Sequence, residues 1–79
     1  MADKKLQAGV IGARLGAAHA YAYANSSEYE LVAVCDLSPK VLDEIWEKAK
    51  LPEGSVHTYT DYKEMFEKEN LDVVSVTVP

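Results

Sequence analysis

Apolar runs alternate with amphipathic segments along this chain. Four runs read as strands: Leu6–Ile11 (LQAGVI), Tyr29–Cys35 (YELVAVC), Val56–Tyr59 (VHTY) and Leu71–Val78 (LDVVSVTV). The last is rich in β-branched residues, which suit a pleated, half-buried surface. The second and fourth are near-continuous apolar runs rather than clean alternations, as expected for strands of a parallel sheet covered on both faces. Between them the spacing predicts three helices. The first runs from Leu15 to about Asn25, and its alanines keep it slim enough to lie close to a sheet. The second runs from Pro39 to Lys50, with Ser38 as N-cap and Pro39 at the first helical position. Val41, Leu42, Ile45, Trp46 and Ala49 share one face of it, leaving Asp43, Glu44, Glu47, Lys48 and Lys50 for water. The third runs from about Asp61 to Lys68. Asp61 and Glu64 have capping-box spacing there, and Tyr62, Met65 and Phe66 are expected to face inward. The order β-α-β-α-β-α-β predicts an α/β fold with a doubly wound parallel sheet, because parallel neighbours need crossovers and helices serve as crossovers.

Composition narrows the function classes. Seventy-nine residues allow one small domain or part of a larger one. The net charge of −5 argues against non-specific nucleic-acid binding, which draws its affinity from Lys and Arg on phosphate. A single cysteine, Cys35, excludes an intramolecular disulfide and a multi-cysteine metal cluster; it lies in an apolar run and reads as an inert buried thiol. The start MADKKLQAGV lacks the apolar core of a signal peptide, and no apolar run is long enough to span a bilayer. A cytoplasmic setting is therefore the default expectation, with no membrane and no nucleic acid among the partners.

The chemistry concentrates after the first strand, in VIGARLGAAHA. A strand turning sharply into a helix aims unpaired N–H groups and a partial positive charge at one point, which a diphosphate can occupy. Glycine is required where a Cβ would block the turn or the ligand. Gly12 stands where the first glycine of a Gly-x-Gly-x-x-Gly fingerprint belongs. Read without a gap, the pattern is Gly12, Arg14, Ala17; read with one residue deleted, it is Gly12, a missing glycine, and Gly16. The deletion keeps RLG and the following histidine in place and is preferred. Arg14 then either contacts a phosphate or is solvated. Asp36 ends the second strand, near the ~20-residue spacing at which this fingerprint places an acid to accept from the adenosine ribose. Its other reading is a turn cap. A carboxylate there repels a 2′-phosphate by ~4 kcal/mol for charges 4 Å apart at an effective dielectric of 20, so NAD is expected over NADP. Ser38 and Lys40 soften that preference and keep NADP as the alternative.

With those residues in place, GVIGARLGAAHA, ELVAVCDLSPKV and HTYTDYKEMFEKENLDVVSVTVP closely resemble the amino-terminal part of the glucose–fructose oxidoreductase / inositol dehydrogenase (Gfo/Idh/MocA) family. The resemblance covers roughly Leu6 to Pro79. It implies the N-terminal part of an NAD(P)-binding Rossmann domain over residues 1–79. A substrate domain would follow it in the complete protein, which would act on sugar- or polyol-type substrates. Carried over by position, Gly12, Ala13, Arg14, Leu15 and Gly16 match the phosphate loop, Asp36 the ribose acid, and Thr77, Val78 and Pro79 the loop that lines the cofactor. Of these last three, Thr77 and Pro79 are the expected cofactor contacts. His19 matches a frequent family histidine and reads as structural. Two departures stand out: the loop lacks one glycine, and the family's Glu-Lys-Pro segment and substrate domain are absent.

Nothing else forms a catalytic constellation. His19 and His57 have no evident nucleophile to serve, and two histidines with one cysteine lack metal-site spacing. The expected ligand is a dinucleotide, and these residues alone are not expected to turn over a substrate. A second reading, of a different class, is a stand-alone structural or interaction module on the same scaffold. Under either, the unprotected edge of the fourth strand invites self-association.

Overall fold

A computed structural model describes residues 4–77. The elements alternate as the sequence predicts: β1 (Leu6–Ile11), α1 (Ala17–Ala24), β2 (Tyr29–Cys35), α2 (Pro39–Lys48), β3 (His57–Tyr59), α3 (Tyr62–Lys68) and β4 (Val73–Val76). All strand pairs are parallel, in the order β3-β2-β1-β4. The chain thus winds outward from β1 to β3, then crosses back to place β4 on the other side of β1. This is an α/β, partial Rossmann fold. The reversal between β1 and β4 is a topological switch point, where the crevice above the carboxyl ends of the strands opens.

The two sheet faces bury two separate clusters. On one face Val10, Leu31 and Val34 pack against Ala20 of α1 and against Val41, Leu42 and Ile45 of α2. On the other, Ala33 and Cys35 pack against Met65 of α3, with Ile11, Val32, Tyr59 and Leu71 around them. The continuous apolar run of β2 is what such two-sided cover demands, whereas β4, expected to be covered likewise, lies at the sheet edge and stays part-exposed. Between Ala8 and Gly9 the β1–β2 register slips by one residue, leaving Val32 without a partner on β1. The slip sets Leu31 and Val34 in one cluster and Val32 and Ala33 in the other.

Capping chemistry fixes the helix starts. Ser38 accepts a hydrogen bond from the Val41 amide at 3.3 Å, with Pro39 at the first helical position. Asp61 accepts from the Lys63 amide at 2.9 Å. The expected capping box is only half made, because Glu64 pairs instead with Lys68, 3.0 Å away on the same helix. Of the three α3 residues expected inward, only Met65 is buried; Tyr62 and Phe66 are about half exposed. They stack edge-to-face with ring centroids 6.1 Å apart and border the cavity described next.

Candidate dinucleotide site at the switch point

Gly12 leaves β1 at φ 95°, a left-handed conformation that L side chains rarely adopt. A Cβ there would also lie 2.9 Å from Thr77 Oγ1 and 3.0 Å from the Thr77 carbonyl carbon. The chain then makes a single helical turn into α1, closed by the Gly16 amide donating to the Gly12 carbonyl at 2.8 Å. At Gly16 the start of α1 lies against β1 with no room for a side chain. A Cβ on it would collide with the Gly12 carbonyl oxygen and lie 2.6 Å from Val10 Cγ1. Glycine is therefore needed at position 16, where the one-residue deletion reading sets the fingerprint's last glycine.

Two further segments brace this turn. The Thr77 amide donates to the Ile11 carbonyl at 2.9 Å, and its hydroxyl lies 2.8 Å from the Gly12 carbonyl and 3.1 Å from that of Ile11. On the other side, Asp36 is fixed by its own amide donating to the Tyr59 carbonyl at 3.0 Å. Its Oδ2 accepts from the Ala13 amide at 2.8 Å and its Oδ1 from the Ser38 amide at 2.9 Å. The cap reading of Asp36 is therefore realised, yet each oxygen keeps a lone pair, since an ionised carboxylate accepts about four hydrogen bonds.

These segments surround a cavity of about 810 Å³ at the carboxyl ends of the strands. Gly12, Arg14, Leu15, Asp36, Ser38 and Thr77 line one part of it. Leu37, Tyr62, Phe66 and Val76 line an apolar part, and all four are exposed. Among the described residues, the amides of Arg14 and Leu15 make no hydrogen bond, and both residues line the cavity. Cys35 also borders the cavity, but it is buried, and burial first, then Asp36 and Asp61, push its thiol up from the ordinary range.

The expected site residues thus converge, with two exceptions. Ala13 is buried and its amide is engaged by Asp36, so its N–H, unlike those of Arg14 and Leu15, has an acceptor. Pro79, like Val78, lies outside the described residues. Sequence reasoning did not anticipate Leu37, Thr60, Tyr62, Phe66 or Val76 as lining. Except for Thr60, their apolar character resembled core, and only the sheet order brings them to one crevice. His19 lies exposed on α1. Among the described residues, no cluster of His, Cys, Asp and Glu is placed to hold a metal ion, and no helix is long and apolar enough to cross a membrane.

A strand–turn–helix cradle, an acid at the end of β2 and a crevice at the switch point form the constellation of a dinucleotide binder. Residues 6–79 match the sequence profile of Gfo/Idh/MocA, described as "Oxidoreductase family, NAD-binding Rossmann fold". The chain belongs to the Gfo/Idh/MocA family. It is similar to myo-inositol 2-dehydrogenase from Lactobacillus plantarum, at 37% identity and a TM-score of 0.74 over 96% of this chain and 22% of that one. It is also similar to a probable dehydrogenase from Thermotoga maritima, at 32% identity and a TM-score of 0.75 over 94% of this chain and 21% of that one. The scyllo-inositol dehydrogenase from Lactobacillus casei, solved with NAD(H) and scyllo-inositol, shares 26% identity at a TM-score of 0.76 over 96% of this chain and 22% of that one. No protein of curated function matches the chain. What these residues build is the NAD-binding Rossmann part of a Gfo/Idh/MocA oxidoreductase, and it spans about 22% of the length of the inositol dehydrogenases it matches.

Proposed function

We propose that this chain binds NAD at the switch-point crevice and supplies the cofactor-holding part of an oxidoreductase acting on polyol- or sugar-type substrates. The observation that carries the reading is the turn Gly12–Gly16. Among the described residues its Arg14 and Leu15 amides have no acceptor, both residues line an 810 Å³ cavity, and only glycine fits at both of its ends. The residues present suit the dinucleotide. The Arg14 and Leu15 amides and the Arg14 guanidinium favour the diphosphate. The spare lone pairs of Asp36 accept from ribose hydroxyls, and the apolar wall of Leu37, Tyr62 and Phe66 suits a purine face. When bound, the cofactor supplies hydride acceptance or donation; the protein's part is to hold and orient it.

The same acid sets cofactor choice. Asp36 is fixed by three backbone contacts and cannot swing aside for a 2′-phosphate without leaving two amides unpaired. A preference for NAD over NADP of about tenfold or more follows from a like-charge repulsion between ~1 kcal/mol in water and ~4 kcal/mol at a dielectric of 20. The substrate class rests on the family and on relatives whose names include inositol dehydrogenases. Calorimetric titration with NAD, NADP and ADP-ribose tests the binding reading. Saturable heats for NAD and ADP-ribose, and weaker ones for NADP, are expected. Silence at millimolar ligand returns the chain to a scaffold without a nucleotide.

A further inference from the structure

We propose that Asp36 positions the shortened diphosphate turn, in addition to any contact it makes with a ribose. The inference rests on the dinucleotide reading above and adds a second job for the same carboxylate. The turn has one residue fewer than the Gly-x-Gly-x-x-Gly pattern, so fewer peptide units are available to shape it. Its start is fixed by the Gly12 amide on the Cys35 carbonyl at 2.8 Å, and its end by the Gly16 amide on Gly12. Between those points, the Ala13 amide is held by a side chain from the turn after β2, Asp36 Oδ2 at 2.8 Å. The next two amides, those of Arg14 and Leu15, have no acceptor among the described residues. Asp36 therefore sets the peptide plane that precedes both donors.

The carboxylate is itself held from two sides, by its own amide on Tyr59 and by the Ser38 amide on Oδ1. It ties the turn after β1 to the turn after β2. Binding of the ribose half and binding of the diphosphate half should accordingly be coupled through one group. Were the acid removed, the Ala13 N–H would be a buried donor without a partner, in a residue that belongs to the main core cluster. The turn could satisfy that donor only by rearranging, and the Arg14 and Leu15 amides would move with it.

Sign makes the idea testable. An acid that serves only the ribose is a nearby negative charge, and its removal should leave the affinity for inorganic diphosphate unchanged or improve it. A positioning acid predicts the opposite. The experiment compares inorganic diphosphate and ADP-ribose on wild type, Asp36→Asn and Asp36→Ala, following backbone amide signals by NMR. The expected result is a diphosphate Kd raised tenfold or more in Asp36→Ala. A smaller rise is expected in Asp36→Asn, whose single carbonyl oxygen can accept from Ala13 or Ser38 but not in the same way from both. Without ligand, the Ala13 amide should exchange slowly in wild type and fast in Asp36→Ala, while the Val34 amide in the sheet keeps its protection. Should Asp36→Ala loosen the whole sheet, the isosteric Asp36→Asn carries the same comparison. Equal or tighter diphosphate binding in the variants, or unchanged Ala13 exchange, overturns the positioning role alone. A wild type that binds neither ligand overturns the dinucleotide reading on which it rests.

Discussion

Two regions of the molecule bend the chain through left-handed backbone, and they do so for different reasons. At the switch point, Gly12 has φ 95° and any side chain on it would meet Thr77. In the α2–β3 connection, Gly54 has φ 80° in a turn closed by the Ser55 amide on the Pro52 carbonyl at 3.0 Å, and a Cβ there would meet nothing within 4 Å. Lys50, close by, has φ 56° without being glycine at all. In the first region glycine is fixed by what must come near, in the second by torsion alone. At the switch point the room beside the glycine is taken by Thr77. An open turn only changes the direction of the chain.

The sharpest break of that contrast is Gly16→Ala. Its new methyl would collide with a backbone carbonyl, the core side chain of Val10 and the hydroxyl of Thr77, and the carbonyl cannot step aside without opening the turn. Overpacking of this kind costs about 3 kcal/mol, and the expected outcome is a matching loss of unfolding free energy together with loss of NAD binding. Denaturant titration and calorimetry read the two effects. A variant as stable as wild type would mean that helix α1 does not need this close approach.

Next in size is the paired comparison of Gly12→Ala with Gly54→Ala. Both carry the left-handed penalty, of order 1 kcal/mol for alanine. Gly12→Ala adds the contact with Thr77, so it should cost about 2 kcal/mol where Gly54→Ala costs about 1. Ligand binding should fall only in the first. Equal costs for the pair would erase the distinction between the two regions.

How far the sequence reached follows the same division. Local chemistry was legible: β1 and β2 fall where their apolar runs lie, and Ser38 with Pro39 starts α2. Helix α1 begins two residues after Leu15, because residues 13–16 are taken up by the turn that Gly16 closes on Gly12. Strand β4 starts at Val73 rather than Leu71, and Asp72 just before it bonds to β1 through its side chain, which accepts from the Gln7 amide at 2.7 Å. The contacts that make the site were not legible in the same way. Asp36 and Ala13 meet only once β1 and β2 pair, and Tyr62 and Phe66 face a cavity that exists only once β4 crosses back beside β1. Glu69 looked like one more acid at a helix end. It is instead the hub of a cluster, accepting from the Tyr59 hydroxyl at 2.5 Å and from His57 Nδ1 at 2.6 Å.

That cluster secures the edge strand β3 by side chains rather than by backbone crowding, and it makes the second region sensitive to pH. The bond to Glu69, then burial and the negative charges of Glu69 and Glu64, push the Tyr59 phenol from 10 up to about 12. Below pH 10 the phenol keeps its proton in both folded and unfolded chains, and the bond contributes fully. As pH rises from 10 toward 12, the unfolded chain loses the proton first and the contribution is lost. Tyr59→Phe should cost about 1 kcal/mol at neutral pH and flatten this alkaline limb, with the switch-point crevice unaffected. Unfolding midpoints measured at neutral pH and near pH 11 check both halves of that expectation.

The smallest effect tests whether torsion alone governs the second region. Helix α2 ends with the Leu51 amide on the Trp46 carbonyl at 2.8 Å and the Lys50 amide on Glu47 at 3.3 Å, a Schellman motif with Lys50 in the left-handed position usually held by glycine. Glycine would relieve the strain of Lys50 but would also gain freedom in the unfolded chain, so the two terms oppose each other. Lys50→Gly should therefore raise stability by only about 0.5 kcal/mol, read as a small rise in the denaturation midpoint at unchanged slope. A clear loss would show that the lysine side chain itself holds the turn, and the open region would then share the logic of the crowded one.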